Sequence, residues 1–375
     1  MSRSLKTTAL VFMLMCSTAA YAAPNIAGVT GGLSHGQVVT ISGVGFGTKS
    51  KALPSVWDDF ETGSLGSNVA GTRPEINYYN SAWNSPHRSP VFSNTITKPN
   101  SRRSVHHDHV NDTGANSAID MVNIRHQNDS FYISFWFYFD QMNSYWSDNI
   151  KPWLIYGNVN DHYIYGAWGE ADQAAGGSYR WAVYDGLGAN NHPANGGAWA
   201  ASTSNIKNLE GRWVRLEQWV VQSTPGQFNG VYRTVFHTGS SIVTALDRSN
   251  VCTRHSTDQR YYHRPTFWGY QRHTNGSQFN IYTDDIYIDD TLARVEIGNA
   301  QTWGACTRRE IQIPSSWSNN SITVKINQGM MPDGRAYLFV VDGSGTSSPG
   351  YPISFGGGDS QPPASPSGVN IIIGN

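Results

Sequence analysis

Residues 131–139 read FYISFWFYF, with Phe131, Ile133, Phe135, Phe137 and Phe139 at every second position and Tyr132, Ser134, Trp136 and Tyr138 between them. Successive side chains of a strand face opposite sides, so the segment predicts a strand with one wholly apolar face and one amphipathic aromatic face. A strand covered on both sides is apolar at both sets of positions, and Tyr and Ser on one side therefore predict a partly wet face. Residues 212–222 repeat the asymmetry, with Val214, Leu216 and Val220 on one face and Trp213, Arg215, Glu217 and Trp219 on the other. Further period-two segments lie at 150–156, 162–168, 179–184, 231–237 and 279–288, with Gly, Asn, Pro and Ser between them. Almost nothing has helical periodicity. The pattern predicts an all-β sandwich or barrel.

The two ends of the chain look like parts of one smaller β unit. Residues 36–47 read GQVVTISGVGFG, a short strand followed by glycines suited to a bulged turn. Residues 317–326 read WSNNSITVKI and 336–343 read AYLFVVDG. These stretches resemble the first and last thirds of an Ig-like module of the IPT/TIG family. The resemblance implies a host domain split over 23–53 and 301–356, interrupted by an insert at 54–300. The strand set of the insert in turn resembles the concanavalin A-like jelly roll shared by lectins, glucanases and polysaccharide lyases, without a motif that selects one of them. The fold expected is a jelly-roll sandwich inserted in a small Ig-like sandwich. Beyond it, 357–375 reads as a Gly/Pro/Ser linker and an apolar C-terminal stub.

A length of 375 residues suffices for two domains with real cores. Residues 1–22 read as a secretory signal: Arg3 and Lys6, an apolar run from Ala9 to Met15, and the small-x-small site Ala20-Tyr21-Ala22. The expected protein is secreted or at the cell surface, and no stretch is long and apolar enough for a membrane span. Cleavage removes Cys16, and the remaining Cys252 and Cys306 are expected to form a disulfide across the domain junction. The formal net charge is −1, becoming −3 once Arg3 and Lys6 leave with the signal. With no basic stripe, nucleic acid is disfavoured as a partner. Aromatic residues are nearly as frequent as charged ones, 12% against 14%, which favours contact through rings and amides.

Four constellations could carry chemistry. Tyr132, Trp136, Tyr138, Trp213, Arg215, Glu217 and Trp219 could floor a polysaccharide groove, since sugars stack C–H faces on aromatic rings and bond their hydroxyls to charged and amide groups. The bland alternative is a second protein layer over the same face, opposed by the cost of burying an unpaired Arg or Glu. Asp58, Asp59 and Glu61 open the insert while Asp284 and Asp285 close it. Adjacent first and last strands would gather these carboxylates for a structural calcium, although Asp is common in turns anyway. His, Arg and Tyr cluster twice, with His107, His109, His263, Tyr270 and Arg272 the candidates for a polysaccharide lyase, whose β-elimination needs a base, an acid and a group to neutralise a uronate carboxylate. Glu217 and Glu170 are the insert's candidates for glycoside hydrolysis, which needs two carboxylates roughly 5–10 Å apart. Serine-hydrolase and P-loop motifs are absent from the sequence. Polysaccharide binding is the leading expectation, with the lyase and a non-catalytic structural or adhesive protein as alternatives.

Overall fold

The computed structural model describes residues 23–85, 88–109, 117–121, 130–140, 150–156, 163–169, 180–185, 198–200, 209–253, 264–271 and 279–356. Their regular structure is strand, apart from a single 3-10 turn at Trp303–Ala305. In chain order the strands are β1 (Asn25–Gly31), β2 (Val38–Val44), β3 (Val56–Asp58), β4 (Ile76–Asn77), β5 (Val91–Ser93), β6 (Ser104–His109), β7 (Ile119–Asp120) and β8 (Ser130–Phe139). There follow β9 (Ile150–Tyr156), β10 (Tyr163–Gly169), β11 (Arg180–Asp185), β12 (Ala198–Ala200), β13 (Trp213–Val221), β14 (Gly230–His237), β15 (Ile242–Val251), β16 (Arg264–Gln271) and β17 (Phe279–Asp289). The last are β18 (Arg294–Gly298), β19 (Arg309–Trp317), β20 (Ser321–Lys325), β21 (Gly334–Val341) and β22 (Tyr351–Phe355).

A seven-stranded sheet runs β1-β2-β20-β19-β18-β21-β22. It joins the two ends of the chain: Val39 pairs with Val324 and Ile41 with Ile322. These residues share one core with Val295, Ile297, Leu338 and Val340. Where the sequence places 294–300 in the insert, β18 is instead hydrogen-bonded to β19 and β21 inside this sheet. After β2, Gly45 and Gly47 take φ of 73° and 72°, the left-handed region that a Cβ disfavours.

The intervening chain forms a jelly-roll sandwich. One sheet has nine strands in the order β15-β14-β13-β8-β17-β3-β4, with β6 also on β17 and β5 on β6; the other has six, in the order β12-β11-β10-β9-β16-β7. Phe131, Ile133, Phe135, Phe137 and Phe139 of β8 join Val214, Leu216 and Val220 of β13 in the core between the sheets, meeting Trp153, Ile155 and Phe267 from the six-stranded one. The alternation in β8 and β13 thus does what the strand period requires on its apolar side.

On the other side the expectation fails. The even face of β8 is not wet: the seven-stranded unit lies over it as a third layer. Tyr132, Trp57 and Tyr287 pack with Ile311 and Ile313 of β19, and Met330 packs against Trp136, Trp213 and Tyr282. Tyr132 and Trp136 are each 2% exposed and Arg215 is fully buried. An amphipathic aromatic face needs only a polar-tolerant neighbour, and here that neighbour is protein.

Candidate functional site

The residues expected to floor a groove form a knot between two modules. The Arg215 guanidinium donates to Ser134 Oγ at 2.7 Å, to the Arg309 carbonyl at 2.8 Å and to the Tyr132 hydroxyl at 3.1 Å. It also donates to Glu296 at 3.0 Å and lies 3.2 Å from Glu217. Glu217 meets His237 Nε2 at 2.6 Å, and Arg294 and Arg309 each contact both Glu217 and Glu296. The Trp136 indole donates to Glu310 at 3.2 Å. Burial alone would raise the Glu217 carboxyl, but Arg215, His237 and Arg294 overcome it and hold it well below the usual carboxylate range. Glu296 is likewise opposed by burial yet drawn to about 2 by Arg294 and Arg309. Burial pushes His237 down to about 4 despite the pull of Glu217. Arg215 and Glu217 pair with each other, and the rest of their burial cost is met by Ser134, Tyr132, His237, Arg294 and Glu296, which only folding brings in. Only Tyr138 and Trp219 of the seven keep partial exposure.

The acidic residues do converge, because β3 pairs with β17 and sets Asp58 opposite Ile286. Their partners come from the chain, however. The Lys98 ammonium, 1% exposed, lies 3.4 Å from Asp284 and 2.6 Å from Asp285. Glu61 pairs with Arg102 at 3.0 Å and Arg103 at 3.9 Å. Asp58 accepts from the Trp83 indole at 2.6 Å and from the Phe60 amide at 2.9 Å, and Asp59 accepts from the Glu61 amide at 3.1 Å. Burial raises Asp58 to about 7 and Asp59 to about 6. Among the described residues no group of three or more His, Cys, Asp or Glu side chains is arranged to hold a metal ion. A buried ammonium between the two central carboxylates does not fit the oxygen cage that calcium requires.

Cys252 and Cys306 are both buried and no disulfide joins them, where the sequence reading expected one. Cys252 closes β15 within the jelly roll, its sulfur 4.0 Å from Ser223 Oγ. Cys306 follows the 3-10 turn of the outer unit and points its thiol at the Ala300 and Thr302 carbonyls, at 3.5 and 3.4 Å. Each thiol serves its own module.

His107 is a core histidine: fully buried in β6, with Nδ1 2.7 Å from the Ser117 carbonyl and burial pushing it down to about 3. His109 and Tyr270 stand in β6 and β16, but their side chains lie outside the described residues, as do Glu170, His263 and Arg272 altogether.

The six-stranded sheet brings together residues that the sequence reading did not combine. One register row runs Asp120–Thr266–Leu154–Tyr165–Tyr184–Ala198 across β7, β16, β9, β10, β11 and β12. The next such row contains Arg264, Tyr156 and Tyr163. These rows alternate with positions such as Trp153, Ile155 and Phe267, whose side chains are in the jelly-roll core, so they belong to the opposite face. At the far end of β9, Lys151 is the register partner of Tyr270. Burial lowers the Lys151 ammonium to about 8. Between these strands β16 carries a bulge after Phe267, where Trp268 takes φ of 57° and donates its indole N–H to Thr283 at 2.7 Å. Bulges of this kind re-aim the residues that follow them. The signal for Lys151 was present in the sequence, a lone lysine inside the apolar stretch IKPWLIY.

No family model matches the chain, and no curated protein matches it, so the likeness of its terminal strands to IPT/TIG modules stays a resemblance. Among solved structures, the alginate lyase Aly36B is 15% identical with a TM-score of 0.44, covering 64% of this chain and 98% of its own. The alginate lyase vAL-1 from Chlorella virus is 11% identical with a TM-score of 0.40, covering 60% of this chain and 99% of its own. The cellulose induced protein Cip1 is 12% identical with a TM-score of 0.39, covering 63% of this chain and 97% of its own. Likeness this distant carries no argument about activity. The all-β jelly-roll architecture stands on the sheets themselves.

Proposed function

We propose that the protein recognises a polysaccharide through the face of the six-stranded sheet that lies away from the jelly-roll core. The observation that carries this is the cross-strand row Thr266–Leu154–Tyr165–Tyr184, flanked by Arg264, Tyr156 and Tyr163. Tyrosine and arginine are residue types suited to stacking on sugar C–H faces and to bonding sugar hydroxyls; Asp120, Thr266 and Leu154, at the near end of the row, are buried. The nine-stranded sheet cannot serve as the groove, because its outer face is already covered. Residues 1–22 support export, where such polymers are met.

Affinity electrophoresis through gels containing a panel of neutral and uronate polysaccharides tests the proposal. Retention by at least one polymer is expected, with a loss of tenfold or more in Tyr165→Ala and Tyr184→Ala. No retention by any polymer would return the protein to the structural or adhesive alternative; retention untouched by both substitutions would move the site elsewhere.

A second reading, lyase chemistry at the same sheet, is favoured by Lys151 and its register partner Tyr270. An amine poised near 8 is a competent base at mildly alkaline pH. It would take the C5 proton of a uronate as the C4–O bond breaks and the C4=C5 double bond forms, with solvent giving a proton to the departing oxygen. The expected signature is ultraviolet absorbance of the unsaturated product, rising with pH through about 8 and abolished in Lys151→Ala. A panel of uronate polymers yielding no such absorbance removes this reading.

A further inference from the structure

The buried charges between the jelly roll and the outer unit do not balance. Around Lys98 and Arg215 stand five buried carboxylates: Asp284, Asp285 and Glu217 from the jelly roll, Glu296 and Glu310 from the outer unit. Four buried cations face them, Lys98, Arg215, Arg294 and Arg309, and none of the nine side chains is more than 5% exposed. His237, lowered by burial to about 4, adds no charge near neutral pH. Lys98 holds Asp284 and Asp285, and the three guanidiniums hold Glu217 and Glu296. Among the described residues Glu310 alone of the five has no ion pair. Its oxygens accept only from uncharged groups, the Trp136 indole across the seam at 3.2 Å and the Met330 amide at 2.8 Å. The backbone at Gly329 closes on the carboxyl so tightly that a Cβ there would collide with it, which leaves no space for a counter-ion on that side.

An uncompensated carboxylate at such a place is costly, and a proton is the counter-ion that fits. We propose that the seam is a proton-dependent latch: Glu310 is held neutral where the outer unit sits on the nine-stranded sheet, and its ionisation loosens that contact. The charged groups acting on Glu310 are Lys98 and Arg215, which favour its ionised form, and Asp285, which opposes it. Burial outweighs the two cations and raises Glu310 to about 7. Asp284 is pushed up by burial as well, but it keeps Lys98 at 3.4 Å. Because the docked state favours the neutral acid, the latch is tight below about 4.5 and weakens as pH rises through about 7. Glu296, drawn to about 2, stays ionised throughout and does not contribute to the change. The latch stands independently of the six-stranded-sheet reading and uses none of its residues.

NMR of the full chain with 15N-labelled tryptophan tests the inference, the Trp136 indole signal being assigned by its loss in Trp136→Phe. That signal is expected to move between pH 5 and 9 with its midpoint near 7. A twofold or greater rise in the fluorescence of a hydrophobic dye should accompany it, as the aromatic face is uncovered. Both transitions should be absent from Glu310→Gln, whose amide cannot ionise. Near-UV circular dichroism checks that the variant is folded; should it not fold, the coincidence of the two wild-type transitions decides. An indole signal that stays still, one that moves with no change in dye binding, or transitions that persist in folded Glu310→Gln overturn the latch.

Discussion

Arg215 illustrates what a single residue can and cannot announce. Its position between Val214 and Leu216 assigns it to the non-core face of β13, and a guanidinium there suggests water. The structure instead gives it two carboxylates, two hydroxyls and a carbonyl. Removing one member of such a buried set leaves the others uncompensated. Arg215→Ala is expected to cost about 3–5 kcal/mol by urea unfolding, whereas a surface ion pair such as Lys325–Glu75, about a third exposed on both sides, contributes at most about 1 kcal/mol. Titration adds a second test. Asp58 is raised by burial to about 7, so its folded form holds a proton that the unfolded chain releases near 4. Its contribution is fully present below about 4 and is lost as pH rises through about 7. In Asp58→Asn, whose amide cannot ionise, the stability deficit relative to wild type should therefore shrink between pH 5 and 8. A deficit that stays constant over that interval would show the Asp58 carboxyl to be ionised in the folded protein.

At the scale of elements, strong alternation was enough. Residues 131–139 and 212–222 became β8 and β13 with little change at their ends, because five Phe and Ile in strict alternation allow one arrangement. The start of the outer unit was less legible. Residues 294–298 carry Val295 and Ile297 into the core of the seven-stranded sheet, but a five-residue strand following β17 looks the same whichever sheet receives it. The pairing of β2 with β20 joins segments about 280 residues apart, and its test is a core cavity. Ile41→Ala, at a fully buried site beside Ile322, should cost about 2–5 kcal/mol. Thermal unfolding of the whole chain, not merely of a frayed terminus, should register the loss. Lys151 was visible as a misplaced charge in an apolar strand; that it stands opposite Tyr270 depended on the β16 bulge, which has no marker in the sequence.

For the molecule as a whole, the outer unit is a lid on the nine-stranded sheet. Through it Arg215 meets Glu296, Trp136 meets Glu310, and Asp285 accepts from Asn327 at 3.0 Å. Residues 54–293 expressed alone would expose these charges and rings, and are expected to unfold at lower denaturant than the full chain and to bind a hydrophobic dye. Equal midpoints would show the jelly roll to be self-sufficient. No covalent staple shares the load: Cys252 and Cys306 should both titrate with a thiol reagent after denaturation without reductant, whereas a disulfide would leave neither reactive.

The sequence by itself determined that the chain is built of strands, which side of β8 and β13 forms the core, and that its two ends have the character of one small β unit. Those properties are local: period two, β-branched and aromatic residues, and glycines where the backbone turns. Which layer covers the aromatic face, which cation neutralises Asp284 and Asp285, and which tyrosines share a row depend on pairings between residues tens to hundreds of positions apart. The aromatic face was read as open because burying Arg215 and Glu217 unpaired is costly. Folding supplied Glu296 and the Arg309 carbonyl to Arg215, while the tyrosine rows of the six-stranded sheet came together on another face.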